Sequence, residues 1–327
     1  MNGNKLVTSL LSLALAAALA GCSTYTPNVA YLDVDMVMPP DGTRQLPPEY
    51  VSSIVDKVEE RNKNVEDTKQ WIDESYSGLM LRRMVNVSSG EYKSYKQYLD
   101  DGAVYIIVHP AYFTFFHYTK NLRRSTDEND DKLNIVELLL KRRPSTPQFA
   151  VMQAQERRMR DFIEFKSTEK KLIILVVPQK YFDYSGYTYK GSQQDEYMRY
   201  LNEIANMSPS VLFVESRDPN RGYLTDDDAM KLMEFLMSVD AENVYIGGGY
   251  VGRCLEDFYS LLTDEYGKEG IYVLPGLSDI SPRELSSPLA MHLLRPDGKL
   301  DHELAAQLMV NNAYKIQEVI PQIIDLK

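Results

Sequence analysis

The stretch "NVYIGGGYVGRCLEDFYSLL", residues 243–262, runs from an apolar segment through a cluster of glycines into a segment with helical spacing. Its first part predicts a buried strand, and Leu255, Phe258 and Leu262 fall on one face of the predicted helix. A strand, a glycine turn and a helix are typical of proteins built from βαβ units, so the stretch predicts a parallel sheet. It also places Cys254 at the start of the helix.

Helical patterns alternate with apolar runs along the rest of the chain. Four further runs have the composition of strands buried on both faces: "AVYIIVH" at 103–109, "KLIILVVP" at 171–178, "SVLFVES" at 210–216 and "GIYVLPG" at 270–276. The alternation predicts an α/β fold of three layers, with a mostly parallel β-sheet covered by helices on both faces. Active sites in such folds lie outside the carboxyl ends of the strands, and His109, Ser216 and Gly247 fall there.

The glycine cluster is similar to sequence motifs of two protein families, of which the dinucleotide-binding proteins are the first. Gly247, Gly249 and Gly252 fit the G-x-G-x-x-G pattern of dinucleotide-binding proteins. That pattern belongs in the first βαβ unit and is followed by a strand that ends in an acidic residue. Here it falls in about the fourth unit, and the next strand ends in proline and glycine, so this alternative is the weaker one.

Residues 103–282 resemble the isochorismatase-like cysteine hydrolases. The segment from Gly248 to Cys254 is similar to the glycine turn and nucleophile of that family, and Asp279 stands where the family has an Asp near the end of the next strand. The resemblance implies a cysteine nucleophile, which is reactive only as the thiolate. A helix N-terminus lowers the pKa of a thiol and would assist.

The other two positions of the family pattern differ in this chain. Where the family has an Asp base, the first strand ends at His109, and where it has a Lys, the loop after the third strand offers Arg217 and Arg221. A His–Cys pair is a workable nucleophile arrangement. Arginine stays charged, so it could stabilise an anion but would be a poor proton shuttle. The site is therefore either rewired or inactive.

A structural role competes with each catalytic assignment. Cys254 could be a small buried hydrophobe, and His109 could be hydrogen-bonded in the core. Arg217 and Arg221 are most simply interpreted as members of surface ion pairs. The aromatic run at 109–118 could line a pocket, or it could pack beneath the N-terminal helices.

The amino terminus predicts export. Residues 6–20 have the length and composition of the apolar region of a signal peptide. The sequence Leu19-Ala20-Gly21-Cys22 that follows resembles the lipobox of bacterial lipoproteins, which implies cleavage before Cys22 and lipidation of that residue. Ser23 after the cysteine suggests sorting to the outer membrane, on its periplasmic face or at the cell surface. With Cys22 acylated, Cys254 has no partner for an intramolecular disulfide.

These patterns divide the chain into a signal peptide (1–21), a lipidated tether (22–47), a helical extension (48–102) and an α/β domain (103–327). The whole chain has a net charge of −11, and the mature chain lacks Lys5 and carries about −12. That charge argues against nucleic acid as a partner. His117, His292 and His302 lack metal-ligand spacing, so neither a metal nor a cofactor is expected.

Two functions fit these observations. The leading hypothesis is a pseudoenzyme, non-catalytic or catalytically altered, anchored in the membrane by its lipid. It would serve as a binding or assembly component of the envelope, with a protein or a small molecule as partner. The alternative is a cysteine hydrolase of a small amide or ester, with Cys254 as nucleophile, His109 as base and Arg217 as anion stabiliser.

Overall fold

A computed structural model describes most of the α/β region and only fragments before it. The described residues are 31–32, 43–44, 70–73, 79–116, 122–123, 143–144, 146–183, 191–217, 221–250, 253–265, 270–282, 285–297 and 299–310. The signal peptide, the lipidated tether and Cys22 lie outside them, except for two two-residue strands in the tether region.

A six-stranded sheet forms the centre of the fold, and all its strand pairs are parallel. The strands are β1 (Arg82–Arg83), β2 (Ala103–Val108), β3 (Ile173–Pro178), β4 (Val211–Ser216), β5 (Asn243–Gly248) and β6 (Ile271–Val273). Their order across the sheet is β6-β5-β2-β3-β4-β1. The predicted α/β class and parallel sheet are therefore confirmed.

Continuous apolar composition explains why the central strands form where they do. Every residue of β2, β3 and β4 is buried, as expected for strands covered on both faces. Val108 pairs with Val176 on one side and Gly248 on the other, which fixes the register at the carboxyl ends of the strands.

Helices lie between the strands and after the last of them. They are α1 (Tyr112–Phe116), α2 (Pro147–Thr168), α3 (Gly191–Ala205), α4 (Asp226–Ser238), α5 (Cys254–Ser260), α6 (Ser287–Leu293) and α7 (His302–Val310). Phe162 of α2 packs edge-on against Tyr105 of β2, with the ring centroids 5.0 Å apart. The start of α5 lies beside Val108, whose side chain points to the opposite face of that strand. Helices thus cover both faces of the sheet.

Helix α4 begins with three acidic residues at 226–228. Negative charges are favourable in the first turn because they interact with the positive end of the helix dipole. Thr225 caps this helix, because its hydroxyl oxygen accepts the backbone N–H of Asp228 at 3.3 Å. Helix α5 continues into a short π-helix at Leu261–Glu265.

The described part of the predicted helical extension, residues 70–73 and 79–102, contains strands and 3-10 turns. Residues Gln70–Asp73 form a strand paired with Lys180–Asp183 where a helix was predicted. Residues Arg82–Arg83 belong to the central sheet as its edge strand β1 and pair with Leu212 and Phe213 of β4. The described helices here are two 3-10 turns, Met84–Asn86 and Tyr92–Tyr98.

The remaining described strands form two small antiparallel pairs. Tyr31–Leu32 pairs with Thr43–Arg44, and Leu122–Arg123 pairs with Arg143–Pro144.

Candidate functional site

The strand order reverses between β2 and β5, and this position fixes where a site is expected. From β2 the chain proceeds to β3 and β4 on one side, and then crosses to β5 and β6 on the other. Ligands of open α/β sheets bind outside the carboxyl ends of the strands at such a reversal. His109 directly follows β2, and the glycine turn that leads to Cys254 follows β5.

His109 lies in a strained turn, where its backbone N–H and its ring Nε2 both have hydrogen-bond partners. Its backbone has φ +48°, and Ala111 two residues later has φ +56°, a conformation that is uncommon for residues other than glycine. The His109 amide donates to the Val176 carbonyl oxygen at 2.9 Å. Its ring Nε2 lies 2.7 Å from the hydroxyl oxygen of Ser216, and both side chains are buried. The ring thus crosses the end of β3 to reach β4.

Cys254 is wholly buried at the start of α5. Its sulfur accepts a long hydrogen bond of 3.4 Å from the backbone N–H of Tyr250, within its own turn. A Cβ atom at Gly249 would lie only 2.9 Å from this sulfur, so the glycine is needed for the turn to close over the thiol. The thiol is therefore packed in the core beneath the glycine turn.

The loop after β4 covers α5 from outside. A Cβ atom at Gly222 would collide with the carbonyl oxygen of Cys254 and with the backbone nitrogen of Phe258. Beside this contact the Arg221 guanidinium lies 3.7 Å from the carboxylate of Asp257. The loop and the helix are in direct backbone contact, which explains the complete burial of Cys254.

Arg217, the predicted anion stabiliser, is an exposed surface residue. Its side chain is 57% accessible and forms an ion pair with Asp226. Its Nε donates to the carbonyl oxygen of Leu224 at 3.0 Å. These contacts match the surface ion pair that was the alternative interpretation of this residue.

The glycines at the end of β5 allow close packing of the backbone. A Cβ atom at Gly247 would lie 2.8 Å from Cβ of Leu277, and one at Gly248 would collide with the carbonyl oxygen of Val108. Gly248 also has φ +77°, which favours glycine. Gly252 lies outside the described residues. Other parts of the protein therefore pack against these glycines, at the positions where a bound pyrophosphate would approach the backbone.

A pair of buried carboxyl groups, Glu156 and Asp279, lies at the same edge of the sheet. Asp279 follows β6, and its backbone N–H donates to the carbonyl oxygen of Gly249 at 2.9 Å. Glu156 projects from α2, and its carboxyl oxygen accepts the backbone N–H of Ala111 at 3.0 Å. The two carboxyl groups lie close enough to share a hydrogen bond when one of them is protonated. This pair therefore connects the turns that follow β2, β5 and β6.

Burial shifts the pKa of both acids upwards. Desolvation raises the pKa of Asp279 to about 7, although the hydrogen bond with Glu156 acts in the opposite direction. The pKa of Glu156 is raised well above its ordinary value by desolvation, by the charge of Asp279 and by their hydrogen bond. Strongly perturbed acids beyond the ends of the strands mark a candidate functional site.

Sequence reasoning identified Asp279 only through the family resemblance and missed Glu156. The missed residue lies in the segment "QERRMR" of α2, whose charges suggest a solvated face. In fact Glu156, Arg158 and Arg160 are all buried. Nothing local in the sequence signals this, because the partner of Glu156 lies on a segment more than a hundred residues away.

The described aromatic residues after β2 pack in the core against α3. Phe115 lies 5.6 Å from the ring of Tyr197 and 5.7 Å from that of Tyr200, both on α3. Tyr112 also contacts Tyr197, edge-on at 6.1 Å. His117 lies outside the described residues.

An open cavity of about 360 Å³ lies beside β1, which is the edge strand on the opposite side of the sheet from β6. Its walls include Leu81 and Phe213 together with Arg83 and Glu215. Arg83 Nη2 lies 2.9 Å from Glu215 and 2.5 Å from the fully buried carboxylate of Asp228. Burial raises the pKa of Glu215, although Arg83 opposes this effect. The cavity has the size of a small-molecule site.

The described residues contain no group of three potential metal ligands among His, Cys, Asp and Glu. Within the same part of the chain, no helix combines the length and apolar character needed to cross a membrane. Comparisons with protein-family models, with curated proteins and with solved structures found no match.

Proposed function

We propose that this chain is a lipid-anchored envelope protein whose α/β domain is a non-catalytic or altered relative of the isochorismatase-like fold. It serves as a binding or assembly component, with the lipid on Cys22 holding it at the outer membrane. The observation that supports this most directly is the complete burial of Cys254 beneath the glycine turn and the loop at 221–223.

The neighbouring contacts favour the same conclusion. The His109 ring is hydrogen-bonded to Ser216, and Arg217 is paired with Asp226 at the surface. A cysteine hydrolase requires its thiol to be exposed to substrate and within hydrogen-bond reach of a base. Each of the three predicted catalytic side chains instead has a structural partner. The edge cavity beside Arg83 and Glu215 offers a place where a small partner could bind.

An ester that reacts with thiolates tests the absence of catalysis. The full-length protein, purified in a non-ionic detergent, is mixed with p-nitrophenyl acetate, and the release of p-nitrophenol is followed. We expect the native protein and Cys254→Ala to give the same trace. A burst of about one equivalent per chain that disappears in Cys254→Ala would reveal an acyl-enzyme and replace the proposal with the hydrolase.

Counting thiols tests the lipid anchor. Cys22 and Cys254 are the two cysteines of the chain, and lipidation converts the Cys22 sulfur into a thioether. Protein extracted from membranes and denatured should therefore react with one equivalent of a thiol reagent, and Cys254→Ala with none. Two equivalents in the native protein and one in the variant would show that Cys22 carries no lipid.

Crosslinking in intact envelopes tests the assembly role. An amine-reactive crosslinker should join the lipoprotein to another envelope protein, and Cys22→Ser, which cannot be lipidated, should lose that product. If the native protein runs as an uncrosslinked monomer under conditions that crosslink other envelope complexes, the assembly role is contradicted.

A further inference from the structure

The contacts of the segment after β6 depend on two neighbouring side chains of α2. Gln155 donates from Nε2 to the carbonyl oxygen of Ser278 at 3.2 Å, and its Oε1 accepts the backbone N–H of Ile280 at 3.1 Å. Between these two contacts, the carboxyl group of Asp279 meets that of Glu156. Residues 278–280 are thus fastened to α2 by three side-chain contacts in a row.

One of these contacts requires a proton. Two carboxylates repel each other and have only acceptor oxygens, so a hydrogen bond between Glu156 and Asp279 exists only when one of them is protonated. Both side chains are at least 95% buried. Among the described residues, Asp279 Oδ1 has no hydrogen-bond partner, so nothing there would stabilise a second negative charge.

We propose that Glu156 and Asp279 form a proton-dependent latch that fastens residues 278–280 to α2 and opens as the pH rises. Opening releases the shared proton to solvent and leaves two carboxylates. Because Asp279 also holds the carbonyl of Gly249, release of the latch loosens the glycine turn that covers Cys254. The latch is independent of whether Cys254 is a nucleophile.

The charged groups around the pair come from three elements. On α2, Arg158 and Arg160 are the nearest buried cations in sequence, and Arg160 lies 3.6 Å from Glu203 of α3. Tyr200 of α3 is close enough for Glu156 and Asp279 to contribute to the rise in its pKa, which burial dominates and Arg160 opposes. The turn after β2 contributes the Ala111 amide and contains His109.

The direction of the pH effect follows from the proton count. In an opened latch the carboxyls are solvated and titrate near their ordinary pKa of about 4. In the closed latch burial raises the pKa of Asp279 to about 7 and raises that of Glu156 as well. Between about pH 4 and 7 the closed form therefore holds protons that the opened form has released. Each released proton favours opening by up to about tenfold per pH unit.

Hydrogen exchange of the full-length protein, followed by mass spectrometry from pH 5 to 8, tests the latch. The readout is the protection of the peptide that contains residues 278–280, corrected for the intrinsic pH dependence of exchange. We expect protection in the native protein to fall as pH rises. In Glu156→Gln the amide donates to Asp279 and accepts from Ala111 without a titrating proton, so protection should depend less on pH.

Two further variants complete the test. Glu164→Gln makes the same charge change at an exposed position of α2 and should retain the pH dependence of the native protein. Asp279→Asn removes the other titrating group and should flatten the dependence if Glu156→Gln does not fold. Equal pH dependence in the native protein and in the folded latch variant, or a loss of protection spread evenly over all peptides, would overturn the proposal.

Discussion

His109 Nε2 lies 2.7 Å from Ser216 Oγ, so side chains at the ends of β2 and β4 meet across the end of β3. Either group can donate, depending on the tautomer of the imidazole. The hydrogen bond lies in the interior, where a polar group without a partner is costly. It gives His109 a structural role in holding three strand ends together.

Removal of this hydrogen bond should destabilise the fold. We expect Ser216→Ala to lower the free energy of unfolding by about 1–3 kcal/mol, because a buried imidazole nitrogen loses its partner. Ser94→Ala, which removes an exposed hydroxyl that bonds the Glu91 carbonyl, should cost less than about 0.5 kcal/mol. Urea unfolding measures both. Equal costs for the two variants would contradict a structural role for the His109–Ser216 contact.

Adjacent arginines in the edge strand should differ sharply in their contribution to stability. Arg83→Ala leaves the fully buried carboxylate of Asp228 without its cation, so we expect a loss of about 3 kcal/mol. Arg82 pairs with Glu91 at the surface, and Arg82→Ala should cost less than about 1 kcal/mol. Urea unfolding of both variants checks the difference, and similar losses would contradict the buried ion cluster beside the cavity.

Gly222 should be intolerant of a side chain because the loop after β4 rests directly on the backbone of α5. Gly222→Ala is expected to destabilise the protein by about 1–3 kcal/mol and to increase the reactivity of Cys254, because the loop is displaced. Gly90→Ala is the matched control, since a Cβ atom there meets nothing within 4 Å. Equal stability and equal thiol reactivity in the two variants would contradict the close contact between this loop and α5.

Much of the fold is predictable because its strands are continuous apolar runs. The segments at 103–109, 171–178 and 210–216 admit few interpretations other than strands buried on both faces. Strand β1 escaped prediction because it consists of two arginines at a sheet edge, where charges are common and no apolar run exists.

The candidate site was less predictable than the fold. The glycine turn and Cys254 are adjacent in sequence, so their contact follows from local geometry. The meeting of Glu156 with Asp279 depends on how α2 packs on the segment after β6, which local sequence does not specify. Likewise, the partner of His109 is set by the order of three strands across the sheet.

The burial of Cys254 is tested most directly by the rate at which its thiol reacts with 4,4′-dithiodipyridine near pH 7. The reaction is measured on the full-length protein at increasing urea concentrations, with Cys254→Ala as the blank. The buried thiol should stay protected in the native protein and become reactive along the same urea transition as unfolding. A native protein that reacts as fast as the unfolded chain would contradict the structural role of Cys254 and favour a nucleophile.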